Sequence, residues 1–373
     1  MAAMLKTSVL LRRMWLVLSL LVFSAMLAAA PAQAATPTVK VMSRNLYFGA
    51  DVTPAAQATS LSELLAADAS IFTAVHATDF PARAKVLAWE IRDADPDLIG
   101  VQELALWRQG PVGVLDGPAT PSTEVVYDFL ASLQSELAAI GAPYSVVRVR
   151  QGADIEVPAG APYNRDIRLT LRDAILAKAS LPAGELKVQS TDSATFSNNL
   201  TLTTVAGPVK FGSGWESADV TVHRHTFRFV NTHLEPFSNF YRTAQSKELL
   251  AGPLNTSGPV VLVGDLNSDP NDPVFNESGS PFNNTNPYDQ LTGAQFADAW
   301  VQANGGTAGP TCCNAADLLN PAPTLTRRID HVLAKANAGP ATRDQVVGTD
   351  ADNKTPSGLW PSDHAGVVAT LNP

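Results

Sequence analysis

Residues 260–269 read VVLVGDLNSD and are the most informative stretch of the chain. An apolar run typical of a buried strand ends abruptly there at Gly264. Asp265 and Asn267 follow, separated by one residue. Because alternate side chains of an extended chain point to the same side, this spacing predicts that the two polar groups emerge together at the strand end. A carboxylate beside a carboxamide suits a hard divalent cation or a phosphoryl oxygen, although such pairs also cap turns and helices.

The same pattern, an apolar strand followed by polar residues, recurs along the chain. The polar residues are Asn45 after VKVMSR, Glu103 after LIGVQ, His233 after FRFVNT, and Asp363 with His364 in PSDH before the last strand. Asp330 differs slightly, because it lies inside the apolar run RIDHVL. Each residue taken alone has an ordinary structural explanation, but α/β proteins place their sites in loops at strand ends. The shared placement therefore favours one common site.

These residue types together suit the hydrolysis of a phosphate ester. Glu103 can hold Mg²⁺, which stays hydrated, takes few protein ligands and stabilises charge on phosphoryl oxygens. His364 can accept a proton from water if a carboxylate such as Asp330 orients its other ring nitrogen. His233 can steady or protonate an oxygen of the phosphate.

Composition limits how a substrate can be held. The chain has 373 residues, 45% of them hydrophobic, which is enough for one large domain or two smaller ones. Its formal net charge is -9. An acidic protein does not bind nucleic acid by bulk charge, so a phosphate-containing substrate must be held by local groups or by metal ions.

The N-terminus has the features of an export signal. Basic residues precede an apolar stretch, Met14–Ala30, and a small-residue cleavage pattern follows at Ala32, Gln33 and Ala34. The basic residues are Lys6, Arg12 and Arg13. We expect residues 1–34 to be a signal peptide and residues 35–373 to be a single secreted domain, extracellular or periplasmic; an uncleaved anchor is the alternative.

Only two cysteines are present, and they are adjacent at Cys312 and Cys313. They can form a disulfide in an oxidising compartment or stay as free thiols. By themselves they cannot supply a zinc cage, so a loop feature without chemistry is the favoured interpretation.

Strands and helices alternate only loosely, which predicts a mixed α/β layered fold rather than a regular barrel. Helical spacing predicts helices at Pro81–Asp93 and Glu124–Ile140. The segment Leu104–Ser122 is rich in Gly and Pro and is expected to be irregular.

From Ser43 to Ser362 the motifs resemble those of the endonuclease/exonuclease/phosphatase superfamily. An early Asn, PDLIGVQE, NTHLE, GDLN, RIDHV and SDH follow one another in the order of that superfamily. The resemblance implies an α/β (α+β) four-layer sandwich, in which two packed mixed β-sheets are flanked by helices. It also implies a metal-dependent phosphoric ester hydrolase that uses Mg²⁺, with Mn²⁺ or Ca²⁺ as alternatives.

The resemblance further implies a role for each residue. Asn45 resembles the phosphate- and metal-site Asn, Glu103 the main metal ligand, and Asp363 a second metal-side carboxylate. His233 resembles the catalytic His that contacts the phosphate, and Asp265 with Asn267 resembles the pair that orients nucleophile or leaving group and steadies metal and phosphate. His364 resembles the general base, and Asp330 the Asp that pairs with it.

The substrate stays open between several classes. A phosphodiester of nucleic acid is favoured because arginines lie in Asn164–Arg172, although those residues are as readily an ion-paired surface segment. A sphingomyelinase-like phospholipid phosphodiesterase is the alternative, with Leu234–Phe240 as the nearest candidate for bilayer contact. A non-catalytic binding module on the same fold is the third possibility. We expect a monomer without an obligate protein partner.

Overall fold

The computed structural model describes residues 37–113, 121–272 and 286–372. The predicted signal peptide, residues 1–34, lies outside these ranges. Thr38–Pro373 forms one compact unit. Among the described helices, none combines the length and the apolar character that a membrane crossing requires.

Sixteen strands are seen in the described part of the chain. They are β1 (Val39–Asn45), β2 (Leu98–Gln102), β3 (Leu106–Gly110), β4 (Glu124–Asp128), β5 (Tyr144–Ala159), β6 (Arg165–Lys178), β7 (Leu186–Thr195), β8 (Thr201–Thr204), β9 (Gly207–Lys210), β10 (Gly214–Val222), β11 (His225–His233), β12 (Val260–Asp265), β13 (Phe296–Asp298), β14 (Asp330–Lys335), β15 (Ala341–Val347) and β16 (Gly366–Leu371). The helices there are α1 (Thr53–Gln57), α2 (Leu61–Ala77), α3 (Phe80–Ala94), α4 (Phe129–Ala139), α5 (Asn239–Ala251), α6 (Pro287–Gly293) and α7 (Ala299–Asn304), with 3-10 turns at Ala336–Ala338 and Ala351–Asn353.

Most strands belong to two mixed sheets. The first has eight strands in the order β15-β16-β1-β2-β6-β3-β4, with β5 also paired to β6. The second has six strands in the order β13-β14-β12-β11-β10-β7. Each sheet contains a parallel pair at its centre, β1 with β2 and β11 with β12.

Three apolar clusters show that the two sheets pack face to face between helices. Between the sheets, Val41 of β1 lies in the same cluster as Val263 of β12. The opposite face of the first sheet packs on α2, α3 and α4, and the opposite face of the second packs on α5 and α6. The expected four-layer α/β sandwich is therefore confirmed.

Strand alternation assigns the candidate residues to faces. The odd-numbered residues of β1, β11 and β12 and the even-numbered residues of β14 contribute to the cluster between the sheets. Asn45, His233, Asp265 and Asp330 continue those rows at the strand ends. The sequence thus directs four polar side chains into the space between the sheets, where the apolar core ends.

Two sequence-based assignments were wrong in part. Glu124–Asp128 forms β4 and pairs with β3, so the predicted helix begins only at Phe129, where the Asp128 side chain accepts a hydrogen bond from Ala131 N (3.2 Å). β3 itself lies in the segment expected to be irregular. Residues 124–128 pair with β3 at the edge of the sheet although their side chains have helical spacing. This pairing gives backbone N–H and C=O groups hydrogen-bond partners on another strand, and such partners cannot be read from the spacing of apolar residues.

Candidate active site

A row of three polar residues crosses the end of the second sheet. In the parallel pairing of β11 and β12, His233 lies opposite Asp265, and in the antiparallel pairing of β12 and β14, Asp265 lies opposite Asp330. The His233 Nε2 atom is 3.5 Å from Asp265 Oδ2. Strand register alone therefore brings these three residues together, although His233 and Asp330 are almost 100 positions apart in the chain.

The first sheet contributes Asn45 and Glu103 from its parallel strands. Asn45 lies opposite Gln102, so Glu103 comes directly after the paired residue. The Asn45 amide nitrogen donates to Glu103 Oε1 (3.0 Å) and to Asp265 Oδ2 (3.1 Å). Its oxygen accepts from Tyr47 N (2.9 Å), so the amide orientation is fixed. Asn45 thereby joins the Glu103 side of the site to the Asp265 side.

His364 and Asp330 form a buried hydrogen-bonded pair. His364 Nδ1 is 2.8 Å from Asp330 Oδ2, and His364 Nε2 is 3.8 Å from Asp265 Oδ2. With a carboxylate on the Nδ1 side, that nitrogen carries the hydrogen and Nε2 is left to face the site. The structure thus has the contact between Asp330 and His364 that the predicted pairing requires, and the roles of both residues stay predictions.

Backbone conformation at the strand ends is unusual. Glu103 (φ 61°), Asn267 (φ 49°) and Tyr47 (φ 56°) adopt left-handed conformations, which are uncommon for residues other than glycine. Gly264 has φ 153°, and a Cβ there would clash with the Thr232 carbonyl oxygen. Left-handed residues therefore end the extended backbone directly after β1, β2 and β12, next to Asn45 and Asp265.

Asn267 holds Asp265 in place. Its backbone N–H donates to Asp265 Oδ1 (2.8 Å), and its side-chain amide donates to Leu234 O (2.9 Å). Arg242 donates to the Asn267 carbonyl oxygen. Because one Asp265 oxygen is held by Asn267, the other, Oδ2, is the one that faces Asn45 and both histidines.

The electrostatics of the site are dominated by carboxylates. Burial lowers the pKa of His364, but Asp330, Asp363 and Asp265 outweigh it and raise the pKa well above 6.5. His233 is shifted upward in the same way: burial is opposed by the negative charges of Asp265 and Glu103. Desolvation raises the pKa of Asp363 to about 6, although the charge of His364 lowers it. The site thus holds more negative charge than its two histidines offset.

A family comparison decides how this arrangement is classified. The model of the Endonuclease/Exonuclease/phosphatase family matches residues 72–364, which include Glu103, His233, Asp265, Asp330 and His364. The chain belongs to the endonuclease/exonuclease/phosphatase family. It is accordingly a metal-dependent phosphoric ester hydrolase of a family that generally uses divalent metal ions. A search of curated proteins returned no match.

Solved structures show the same fold at low sequence identity. An endonuclease/exonuclease/phosphatase from Beutenbergia cavernae is 21% identical with a TM-score of 0.52, covering 90% of this chain and 71% of its own. A family protein from Bacteroides thetaiotaomicron is 16% identical with a TM-score of 0.52, covering 90% and 97%. A humanized D. rerio TDP2 is 15% identical with a TM-score of 0.51, covering 90% and 99%.

The donor set of this endonuclease/exonuclease/phosphatase protein fits a hard divalent cation. Glu103 and Asp363 offer carboxylate oxygens, the ligands that such ions prefer. Their negative charges act on neighbouring groups. Glu103 raises the pKa of Asp363, and Asp363 raises the pKa of His364. A divalent cation would neutralise this excess of negative charge and thereby lower the pKa of His364. Asn45 turns its amide nitrogen, not its oxygen, toward Glu103, so its predicted role as a metal ligand stays a prediction.

The arginines of the tract Asn164–Arg172 contact carboxylates rather than the centre of the site. Arg165 pairs with Glu124 (3.4 Å), and Arg168 pairs with Asp154. Arg172 pairs with Asp128 (2.6 Å) and donates to Leu104 O (2.9 Å). These contacts agree with the ion-paired interpretation of the segment and weaken the case for direct phosphate contacts from it.

Arg83 supports the endonuclease/exonuclease/phosphatase site, and sequence reasoning missed it. Its fully buried guanidinium donates to the backbone oxygens of Leu46 (2.7 Å), Tyr47 (3.1 Å) and Pro361 (2.9 Å). It therefore fastens the segment after Asn45 to the segment before Asp363. The sequence does contain an indication that Arg83 is buried. Arg83 lies four residues before Leu87, which places a charged side chain on the apolar face of α3.

Two further buried arginines were also missed. Arg44 donates to the backbone oxygen of His364 (2.5 Å) and pairs with Glu90 of α3 (2.8 Å). Arg150 contacts Asp173 (2.5 Å) and Glu216 (2.8 Å), and Asp173 accepts from Glu103 N (3.3 Å). Both arginines thus act on the position of site residues through backbone atoms.

Proposed function

We propose that the protein is a secreted, Mg²⁺-dependent phosphodiesterase in which His364 activates the attacking water. The observation that carries the proposal is the convergence of three groups on Asp265 Oδ2: Asn45 Nδ2 at 3.1 Å, His233 Nε2 at 3.5 Å and His364 Nε2 at 3.8 Å. A phosphoryl group next to this point would contact both imidazoles.

The residues divide the proton transfers between them. His364 Nε2 takes a proton from water as the water oxygen forms a bond to phosphorus, and Asp330 stabilises the resulting imidazolium. The bond from phosphorus to the leaving oxygen breaks, and His233 supplies the proton that this oxygen takes up. Asp265 and Asn267 orient the reacting oxygens. A divalent cation held by Glu103 and Asp363 would supply charge neutralisation at the phosphoryl oxygens.

We favour a nucleic-acid phosphodiester as substrate. A D. rerio TDP2 complexed with single strand DNA product resembles this fold with a TM-score of 0.50 and 16% identity, covering 90% of this chain and 99% of its own. The net charge of -9 means that such a substrate would be held at the site rather than by a basic surface.

A phospholipid phosphodiester is the second candidate, and a cavity supports it. A mostly apolar cavity of about 440 Å³ lies between α1, α2, β5, β6 and the β8–β9 hairpin. Phe48 lines it and donates its backbone N–H to Glu103 Oε2 (2.9 Å), so the cavity adjoins the metal-side carboxylate. It could receive an apolar arm of the substrate.

Substrate assays of the mature protein test the proposal. Plasmid DNA, RNA, sphingomyelin and a chromogenic phosphodiester should be offered with Mg²⁺, with Mn²⁺, with Ca²⁺ and with EDTA. We expect Mg²⁺-dependent hydrolysis of DNA or RNA that EDTA abolishes and that His364→Ala reduces. Hydrolysis of sphingomyelin alone would establish the second candidate, and binding without hydrolysis of any substrate would favour a non-catalytic module.

Export is part of the same proposal. The pattern Ala32, Gln33 and Ala34 predicts a mature N-terminus at Ala35, released outside the cytoplasm. N-terminal sequencing of protein recovered from the secreted fraction should give Ala35 as the first residue. An intact N-terminus found in membranes would instead support an anchor.

A further inference from the structure

The adjacent cysteines lie on a segment that runs between the chain around His364 and the chain leading to Asp330. Cys312 forms isolated antiparallel bridges with Arg327 on one side and with His364 on the other. Asn314 N donates to Asp363 O (2.7 Å), and Ala365 N donates to Thr311 O (2.8 Å). Because residues opposite each other in an antiparallel bridge have neighbouring side chains, the cysteine segment is held directly against His364.

This segment also reaches Asp330. The Thr311 hydroxyl oxygen accepts hydrogen bonds from the backbone N–H groups of Ile329 and Asp330, both at 3.1 Å. One short stretch of chain therefore contacts the backbones of Asp330 and of the residues around His364. The cysteines therefore lie beside the proposed proton-transfer pair and not on a remote loop.

The side chains themselves form a compact donor set. The two sulfur atoms and a ring nitrogen of His364 all lie within 4.8 Å of one another. Cys312 and His364 are buried at 3% and 7% exposure, whereas Cys313 is exposed to solvent. The sulfurs are joined in a disulfide in the structure. The pair could not hold a metal ion by itself, but the fold adds the missing third ligand.

We propose that reduction of the Cys312–Cys313 disulfide creates an inhibitory site for a thiophilic cation, Zn²⁺ or Cd²⁺, with His364 as its third ligand. Two thiolates and an imidazole are the ligands that such soft d¹⁰ ions prefer, and three protein ligands leave a fourth position for water. The oxygen donors of Glu103 and Asp363 suit Mg²⁺ instead. The two sites therefore select different ions.

The redox step balances with a thiol reductant. Two reductant thiols are oxidised to a disulfide, while the protein disulfide takes up two electrons and two protons and becomes two thiols. Cation binding then releases the two thiol protons, because thiolates are the ligands. Bound cation would engage His364 and withdraw it from water activation, so the reduced enzyme would be inhibited and the oxidised enzyme would not.

Metal binding should be measured separately from activity, because the inhibition rests on the proposed role of His364. Reduced mature protein, with the reductant removed without oxygen, should bind one Cd²⁺ with an ultraviolet thiolate-to-cadmium absorption. The oxidised protein and Cys313→Ser should bind at least about tenfold more weakly, because they lack thiolate ligands and even the loss of an outer-shell partner costs a metal site that much. Equal binding by reduced and oxidised protein, or no thiolate absorption, would overturn the site.

Activity is then measured with saturating Mg²⁺ and stoichiometric Zn²⁺. Reduced wild type should lose at least about 90% of its rate, as expected when a general base is blocked, and should recover with a chelator that spares Mg²⁺. Oxidised wild type and Cys313→Ser should keep their rates. A cadmium–thiolate band without loss of activity would support the metal site and contradict the role of His364 as base.

Discussion

Two buried histidines, His364 and His331, have opposite electrostatic surroundings. His364 faces Asp330, Asp363 and Asp265, which together raise its pKa against the effect of burial. For His331, burial lowers the pKa and the charge of Arg328 lowers it further. Burial is common to both, so the neighbouring charges decide in which direction the pKa of each histidine is shifted.

Strand alternation explains why the side chains of the adjacent residues Asp330 and His331 lie on opposite faces of β14. Asp330 points between the sheets toward His364, and His331 points to the outer face of β14, where Leu333 packs against the helices. The Arg328 guanidinium is 3.2 Å from His331 Nδ1, and His331 Nε2 is 3.0 Å from Ser268 O. Nδ1 therefore accepts from Arg328 while Nε2 donates to Ser268, which fixes a neutral ring.

The largest expected difference between the two histidines is in catalysis. His364→Ala should lower kcat by at least about 10²-fold, a typical contribution of a general base. His331→Gln should keep kcat near the wild-type value, since Gln can repeat the contacts with Arg328 and Ser268. Steady-state kinetics on a chromogenic phosphodiester compares them, and similar losses in both variants would refute the distinction.

The second prediction concerns Glu103, whose charge raises the pKa of Asp363 next to His364. Glu103→Ala should raise the Mg²⁺ concentration needed for half-maximal activity by at least about tenfold, because a principal ligand is lost. Circular dichroism should show that the fold is kept. Glu124→Ala, which removes an exposed carboxylate paired with Arg165, is the matched control and should leave Mg²⁺ activation unchanged. If Glu103→Ala responds to Mg²⁺ as wild type does, its assignment as a ligand is wrong.

The smallest expected effect concerns His331 and stability. Its pKa is lower in the folded state, so the unfolded state binds more protons as the pH falls below 6.5, and the free energy of unfolding falls with it. Urea unfolding at pH 7.5 and 5.5 should show a smaller loss of stability in His331→Gln than in wild type. An unchanged loss would mean that His331 does not titrate as its surroundings indicate.

The strand-end pattern predicted much of the site, because two simple rules act together. Parallel strands bring their carboxyl ends to one edge, and alternation sends Asn45, His233, Asp265 and Asp330 to the same face. The roles given to these residues stay predictions, but their proximity is now seen. The boundaries of β1, β2 and β12 are close to those that the apolar runs indicate.

What the sequence did not reveal depends on contacts between distant segments. Arg83 and Arg44 are buried against backbone oxygens of segments far along the chain, and no local pattern names those partners. Cys312 lies opposite His364 although 52 positions separate them. The third ligand proposed for the cysteine pair could therefore be found only in the fold. The arginines of residues 164–172 were ambiguous for the same reason, since their carboxylate partners come from other elements.

The most direct test of the account is a double-mutant cycle on the Asp330–His364 pair. The kcat values of Asp330→Asn, His364→Ala and the double variant should be measured under saturating Mg²⁺ and substrate. Because the two residues act as one unit, we expect the double variant to be little slower than His364→Ala alone. Additive losses, or a His364→Ala variant with near-normal kcat, would show that the pair is structural and that water is activated elsewhere.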